Sequence, residues 1–223
     1  MPTPITRAAQ VVLSVVLLAP LVAATQAQTQ ERSRTQGLKE TDRFVKAGES
    51  TTEAVANGKM QTQKTLDAYN ALVTQPTTNM KGDYKKLLKS VDSMNGRVTN
   101  ARAKVDQMQA AADTYFAGRA ETIKAIQDPQ LQDRAKQRMT ESQKQFGGVL
   151  QSLKEANDAL EPFRKDLSDQ IKYLGSDLTP SAMTSLKPNA EKLNAQGTEL
   201  FSRTDKAIAD ANAYFESLKS AES

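Results

Sequence analysis

From residue 38 onward, apolar residues return in alternating steps of three and four, with polar and charged residues between them. The cleanest run goes from Tyr84 through Leu87, Val91, Met94, Val98, Ala101, Val105 and Met108 to Tyr115. Strict alternation of this kind is a heptad seam, narrower than the stripe of an ordinary amphipathic helix. Similar runs extend from Leu131 through Phe146, Leu153, Leu160 and Phe163 to Leu174, and from Leu186 through Leu193, Leu200 and Ile208 to Leu218. A weaker one joins Thr41 to Val73 and places Gly48, Thr52, Lys59 and Thr62 at seam positions. No period-two alternation competes, so the chain is predicted to be all-α.

Three interruptions divide these runs. Gln75-Pro76-Thr77-Thr78-Asn79 supplies a proline and an asparagine cap. Asp128-Pro129 and Thr179-Pro180 each pair a capping side chain with proline at the first helical position, where the missing N–H costs nothing. Connections this short force neighbouring helices to run antiparallel. The pattern therefore predicts an elongated antiparallel bundle of four long helices with heptad, coiled-coil-like seams, at 38–74, 80–127, 129–174 and 180–219. Each spans ~55–70 Å at 1.5 Å per residue. A three-helix coiled coil with the weaker first helix loosely attached is the second choice. Folding about residues 77, 128 and 177 sets the register: Leu66 against Leu88, Val98 against both Val55 and Leu160, and Phe146 against Ile208. Pro162 and Gly147-Gly148 fall inside the third helix and suggest either a local kink or a hinge. Gly48 and Gly197, on the seams, suggest close packing.

The first residues are of another kind. Arg7 is the one charge before Glu31, and an apolar run of about 14 residues follows it, Val11 to Ala24. That is the length of a signal-peptide core and short of the ~20 residues that span a bilayer. Small residues at Thr25 and Ala27 allow a cut before Gln28, with Val22-Ala23-Ala24 a second option and an uncleaved anchor the alternative. The domain reading is a signal peptide at 1–27, a polar disordered linker at 28–36 and a single helical bundle domain at 37–220, in an exported protein that is periplasmic or secreted.

Composition narrows the chemistry. The 223 residues include no Cys and no His. Disulfides, Cys/His zinc sites, axial-histidine haem, lipid attachment at a lipobox cysteine, and thiolate or imidazole catalysis are all excluded. No glycine-rich phosphate loop is present. We therefore expect no catalytic residues, no cofactor and no metal. Lys and Arg number 30 against 26 acids, for a net charge of +4, with the signs interspersed as on solvated helix faces. One segment stands out: Lys81, Lys85 and Lys89 follow i, i+4, i+8 spacing beside Lys86, and Arg97, Arg102 and Lys104 lie further along. The Lys81, Lys85, Lys86 and Lys89 stripe is a candidate contact for an anionic membrane or cell-wall surface. It lacks the interleaved aromatics of nucleic-acid binding, so no nucleic acid is expected. A protein of the envelope is the expected partner.

Three stretches carry a family resemblance: Leu160-Glu161-Pro162-Phe163, the segment Asp169 to Leu174, and the segment Ala207 to Phe215. With the helix spacing from Gly37 to Lys219, they resemble an uncharacterised, largely proteobacterial family of exported long-helix envelope proteins catalogued as a domain of unknown function. The resemblance implies a Gram-negative envelope location. It implies no activity and no functional residues.

Overall fold

The computed structural model describes residues 19–220, with side chains from residue 36; most of the expected signal segment, 1–18, lies outside the described residues. Five helices follow one another: α1 (Ala19–Thr74), α2 (Met80–Lys124), α3 (Pro129–Ser176), α4 (Pro180–Ser185) and α5 (Lys187–Ser220). The helix starts lie where the caps foretold them. The Asn79 side chain accepts from the Gly82 N–H at 3.2 Å, and Asp128 Oδ1 accepts from the N–H groups of Gln130 and Leu131 at 2.8 and 3.1 Å. Thr179 Oγ1 accepts from Ala182 at 3.2 Å, directly before Pro180.

Two expectations on helix extent change. The fourth helix is two, broken at Leu186, so the bundle has five helices and not four. Pro188 accounts for the break: it has no N–H to return to the Thr184 carbonyl, but it is at ease in the first turn of α5. The stretch 28–36, expected to be a polar linker, is helical within α1. No proline or glycine interrupts residues 21–36, and Gln, Glu and Arg are good helix formers. Pro162, by contrast, leaves α3 continuous and lies exposed between the buried Leu160 and Phe163. Gly147 and Gly148 face open space.

Helix α1 packs against α2 and α5, and α3 packs against α5; α2 and α3 meet more sparsely. Hydrogen bonds between helices fix the pairing. Thr51 donates to the Lys104 carbonyl at 2.9 Å and Thr65 to that of Ser90 at 3.1 Å, so numbers rise on α1 as they fall on α2. Lys59 meets Asp205 at 2.5 Å and Asn70 donates to Asn194 at 2.7 Å, which gives the same opposed order for α1 and α5. The expected pairing of Leu66 with Leu88 does not hold: Leu88 is 36% exposed, and Leu87 joins the core cluster that contains Leu66. Phe146 meets the Tyr214 ring at 5.7 Å, beyond the Ile208 level expected for it.

The core is in two parts. One gathers Leu66, Tyr69, Leu87, Phe163, Leu174 and Leu193 with their neighbours. The other is built round Phe44, whose ring lies 5.1–6.0 Å from those of Tyr115, Phe116, Phe146, Tyr214 and Phe215 in edge-on and tilted contacts. The weak polar seam of α1 is buried all the same. The hydroxyls of Thr51, Thr62 and Thr65 also lie 2.8–2.9 Å from the carbonyls four residues back, Thr51 and Thr65 each sharing one proton between two acceptors, so the buried oxygens are satisfied.

Candidate functional site

Lys81, Lys85, Lys86 and Lys89 project from the first turns of α2, and all four are exposed. Lys86 is drawn to Asp83 at 2.9 Å, where Thr77 and Lys86 together hold the carboxyl below its ordinary range. Among the described residues Lys81, Lys85 and Lys89 have no ion pair. The stripe is thus three unpaired ammonium groups on one helix face, with Leu88 exposed between them. Further along, Arg97 is exposed as well, but Arg102 and Lys104 do not continue the stripe. Arg102 turns toward α3 and donates to Asn157 at 2.9 Å and to Glu161, and Lys104 is half-buried, donating to Gln107 at 3.1 Å.

A second feature lies halfway along the bundle, between the two parts of the core. Here a cavity of about 450 Å³ is lined by Val55, Val98, Val105, Leu153, Leu160 and Leu200, among other side chains. Its cause is local. Gly58 of α1, Ala101 of α2, Ala156 of α3 and Thr204 of α5 all line it, and none is large enough to fill the space between four helices. Val55, Val98 and Leu160, which folding arithmetic brought to one place, all line it. Arg102, Asp106, Lys154 and Asn157, from α2 and α3, form its polar rim.

Where α2 and α3 do meet beside this cavity, the link is polar. Glu161 takes hydrogen bonds from Arg102 and, at 3.5 Å, from Arg164; Arg164 also donates to Asn95 at 3.1 Å. Beyond this clasp a second cavity, about 320 Å³, opens among Val91, Met94, Leu167 and Ile171. Sequence reasoning missed both cavities, although Ala101 and Ala156 were legible as small residues in otherwise large seams.

Elsewhere the polar groups serve packing. Asp210 is held below the usual carboxylate range by Lys206, at 2.6 Å, and by the Ser152 hydroxyl. Asp166 is lowered in the same way, chiefly by Lys192 at 2.8 Å and then by Gln196 at 2.9 Å, against a desolvation that raises it. Burial pushes the Tyr214 phenol up to about 12, and that of Tyr69, which donates to Gln170, higher still. Among the described residues no group of three or more acidic side chains is placed to hold a metal ion. None of the described helices is long and apolar enough to cross a membrane.

The class is that of an all-α, multi-helix bundle with extensive contacts between helices. The chain belongs to the family described as Protein of unknown function (DUF2959), which matches residues 29–218. No curated protein and no solved structure matches it.

Proposed function

We propose that this chain is a non-catalytic, exported protein of the cell envelope that serves as a helical scaffold or interaction module. In this reading the long helices form an antiparallel bundle of four, α4 and α5 counting as one, with heptad-like seams. One observation carries it: most large apolar side chains are buried between the helices, while the outer faces carry interspersed charge joined in i, i+3 and i, i+4 pairs such as Lys154–Asp158 and Lys172–Asp169. Such a body supplies span and surface. Export is supported by the apolar run Val11 to Ala24 and by the family region beginning at residue 29, just past the expected cut before Gln28. Mass spectrometry of the protein from an envelope fraction tests this. A mature chain beginning near Gln28 is expected, whereas an intact chain from Met1 held in the membrane would overturn it. Turnover of an envelope substrate by the purified protein would overturn the non-catalytic part.

A second reading is favoured by the exposed, unpaired Lys81, Lys85 and Lys89: a module that holds anionic envelope surfaces electrostatically. Such attachment weakens with salt, because the Debye length is ~10 Å at 0.1 M and shorter above it. Co-sedimentation with anionic liposomes is expected at low salt and not at high salt. The Lys81→Glu/Lys85→Glu/Lys89→Glu variant should lose it. Absence of binding by the wild-type protein at low salt would remove this reading.

A further inference from the structure

The mid-bundle cavity has the size and lining of a ligand site, about 450 Å³ walled mainly by aliphatic side chains. It is also elongated. Its lining on α3 runs from Leu150 to Leu160, which at 1.5 Å per residue is a length of about 15 Å, suited to an extended medium-length alkyl chain.

The charges at its mouth set the head group. Lys59 and Lys154 are each matched by a carboxylate, Asp205 and Asp158. Arg102 is not: it shares the single carboxylate of Glu161 with Arg164, so two guanidiniums stand on one anion beside the opening. Guanidinium is suited to planar, two-pronged recognition of a carboxylate. Asp106, also on the rim, disfavours a multiply charged head and leaves room for one negative charge.

We propose that the cavity binds a medium-chain fatty carboxylate, its alkyl chain along the wall between Val98 and Leu153 and its head group at Arg102. The site is separate from the Lys81–Lys89 stripe and does not depend on the scaffold reading.

Isothermal titration of the purified full chain with laurate, held below its micelle-forming concentration, tests this. Saturable one-to-one binding is expected, with 1-dodecanol binding at least tenfold more weakly. Arg102→Gln should weaken laurate about tenfold and leave dodecanol unchanged. Ala156→Leu should fill the cavity and abolish binding of both, with helical circular dichroism retained. Ala101→Leu fills the same space from the half-exposed side of α2 and serves if the first variant does not fold. No saturable laurate binding would overturn the proposal, as would binding undiminished in a folded cavity-filled variant. Equal affinity for laurate and dodecanol would overturn the role given to Arg102.

Discussion

Gly48 and Gly148 both lie inside helices, yet an alanine means opposite things at the two. A Cβ at Gly48 would run into the Phe215 ring, which is itself packed on Phe44 with centroids 5.1 Å apart. Overpacking of this kind costs ~1–3 kcal/mol, more than the ~1 kcal/mol that alanine gains over glycine in a helix. At Gly148 nothing lies within 4 Å of the added carbon, so the gain stands alone. Gly48→Ala should therefore lower the melting temperature and Gly148→Ala raise it, by a few degrees each at ~2–4 °C per kcal/mol. Thermal unfolding followed by circular dichroism reads both.

The Tyr69 hydroxyl donates to Gln170, and both side chains are buried. Tyr69→Phe removes the donor but leaves the amide oxygen in the core, at a cost of ~1–3 kcal/mol. Adding Gln170→Met to that variant removes the orphan and should recover most of the loss. Urea midpoints of the two variants decide it. An equal loss in both would mean that the pair contributes little beyond its packing.

Helix ends were legible because their chemistry is local. Asn79, Asp128-Pro129 and Thr179-Pro180 bring their own hydrogen bonds and dihedral preferences, whatever packs around them. The break at Leu186 was hidden because Pro188 follows a seam position and the apolar spacing continues across it. Phe44, the centre of one half of the core, was missed for a related reason. A heptad template allots two buried positions in seven, but α1 has neighbours on two sides, α2 and α5, and buries a wider stripe that takes in Phe44, Thr51, Thr65 and Leu72. Leu131 errs the other way and is 53% exposed. With Ser142 of α3 against Tyr214 of α5, Ser220 lies opposite a residue later than Leu131, so the first turn of α3 passes the described end of α5. The cavities were illegible because periodicity records whether a position is apolar and is blind to its volume.

The α3–α5 contact is also where acid should act first. Asp210 of α5 is bonded by Lys206 of its own helix and by Ser152 of α3, and Asp166 of α3 by Lys192 and Gln196 of α5. Both carboxyls have lowered values in the folded chain. A lowered carboxylate contributes stability that is complete above about pH 4, near its unfolded value, and is lost as the pH falls through the folded one. The wild-type protein should lose stability on going from pH 5 to pH 2. The Asp166→Asn/Asp210→Asn variant, weaker at neutral pH, should lose less over the same range. Chemical denaturation at a series of pH values checks the slope.

At the scale of the whole molecule, the division of the core into two parts has a thermodynamic consequence. Cooperativity passes along a bundle through interlocked side chains, and at the level of Gly58, Ala101, Ala156 and Thr204 that interlocking thins to a cavity and a polar clasp. The backbones of the four long helices run through this level without a break. The two ends are then expected to behave as separate folding units coupled in series, each opening at a free energy of its own. Native-state hydrogen exchange should show two protection plateaus, one over the Leu66–Leu193 end and one over the Phe44–Phe215 end, with a trough between them. Filling the layer with Ala156→Leu should merge the plateaus into one, so that the chain opens as a single block.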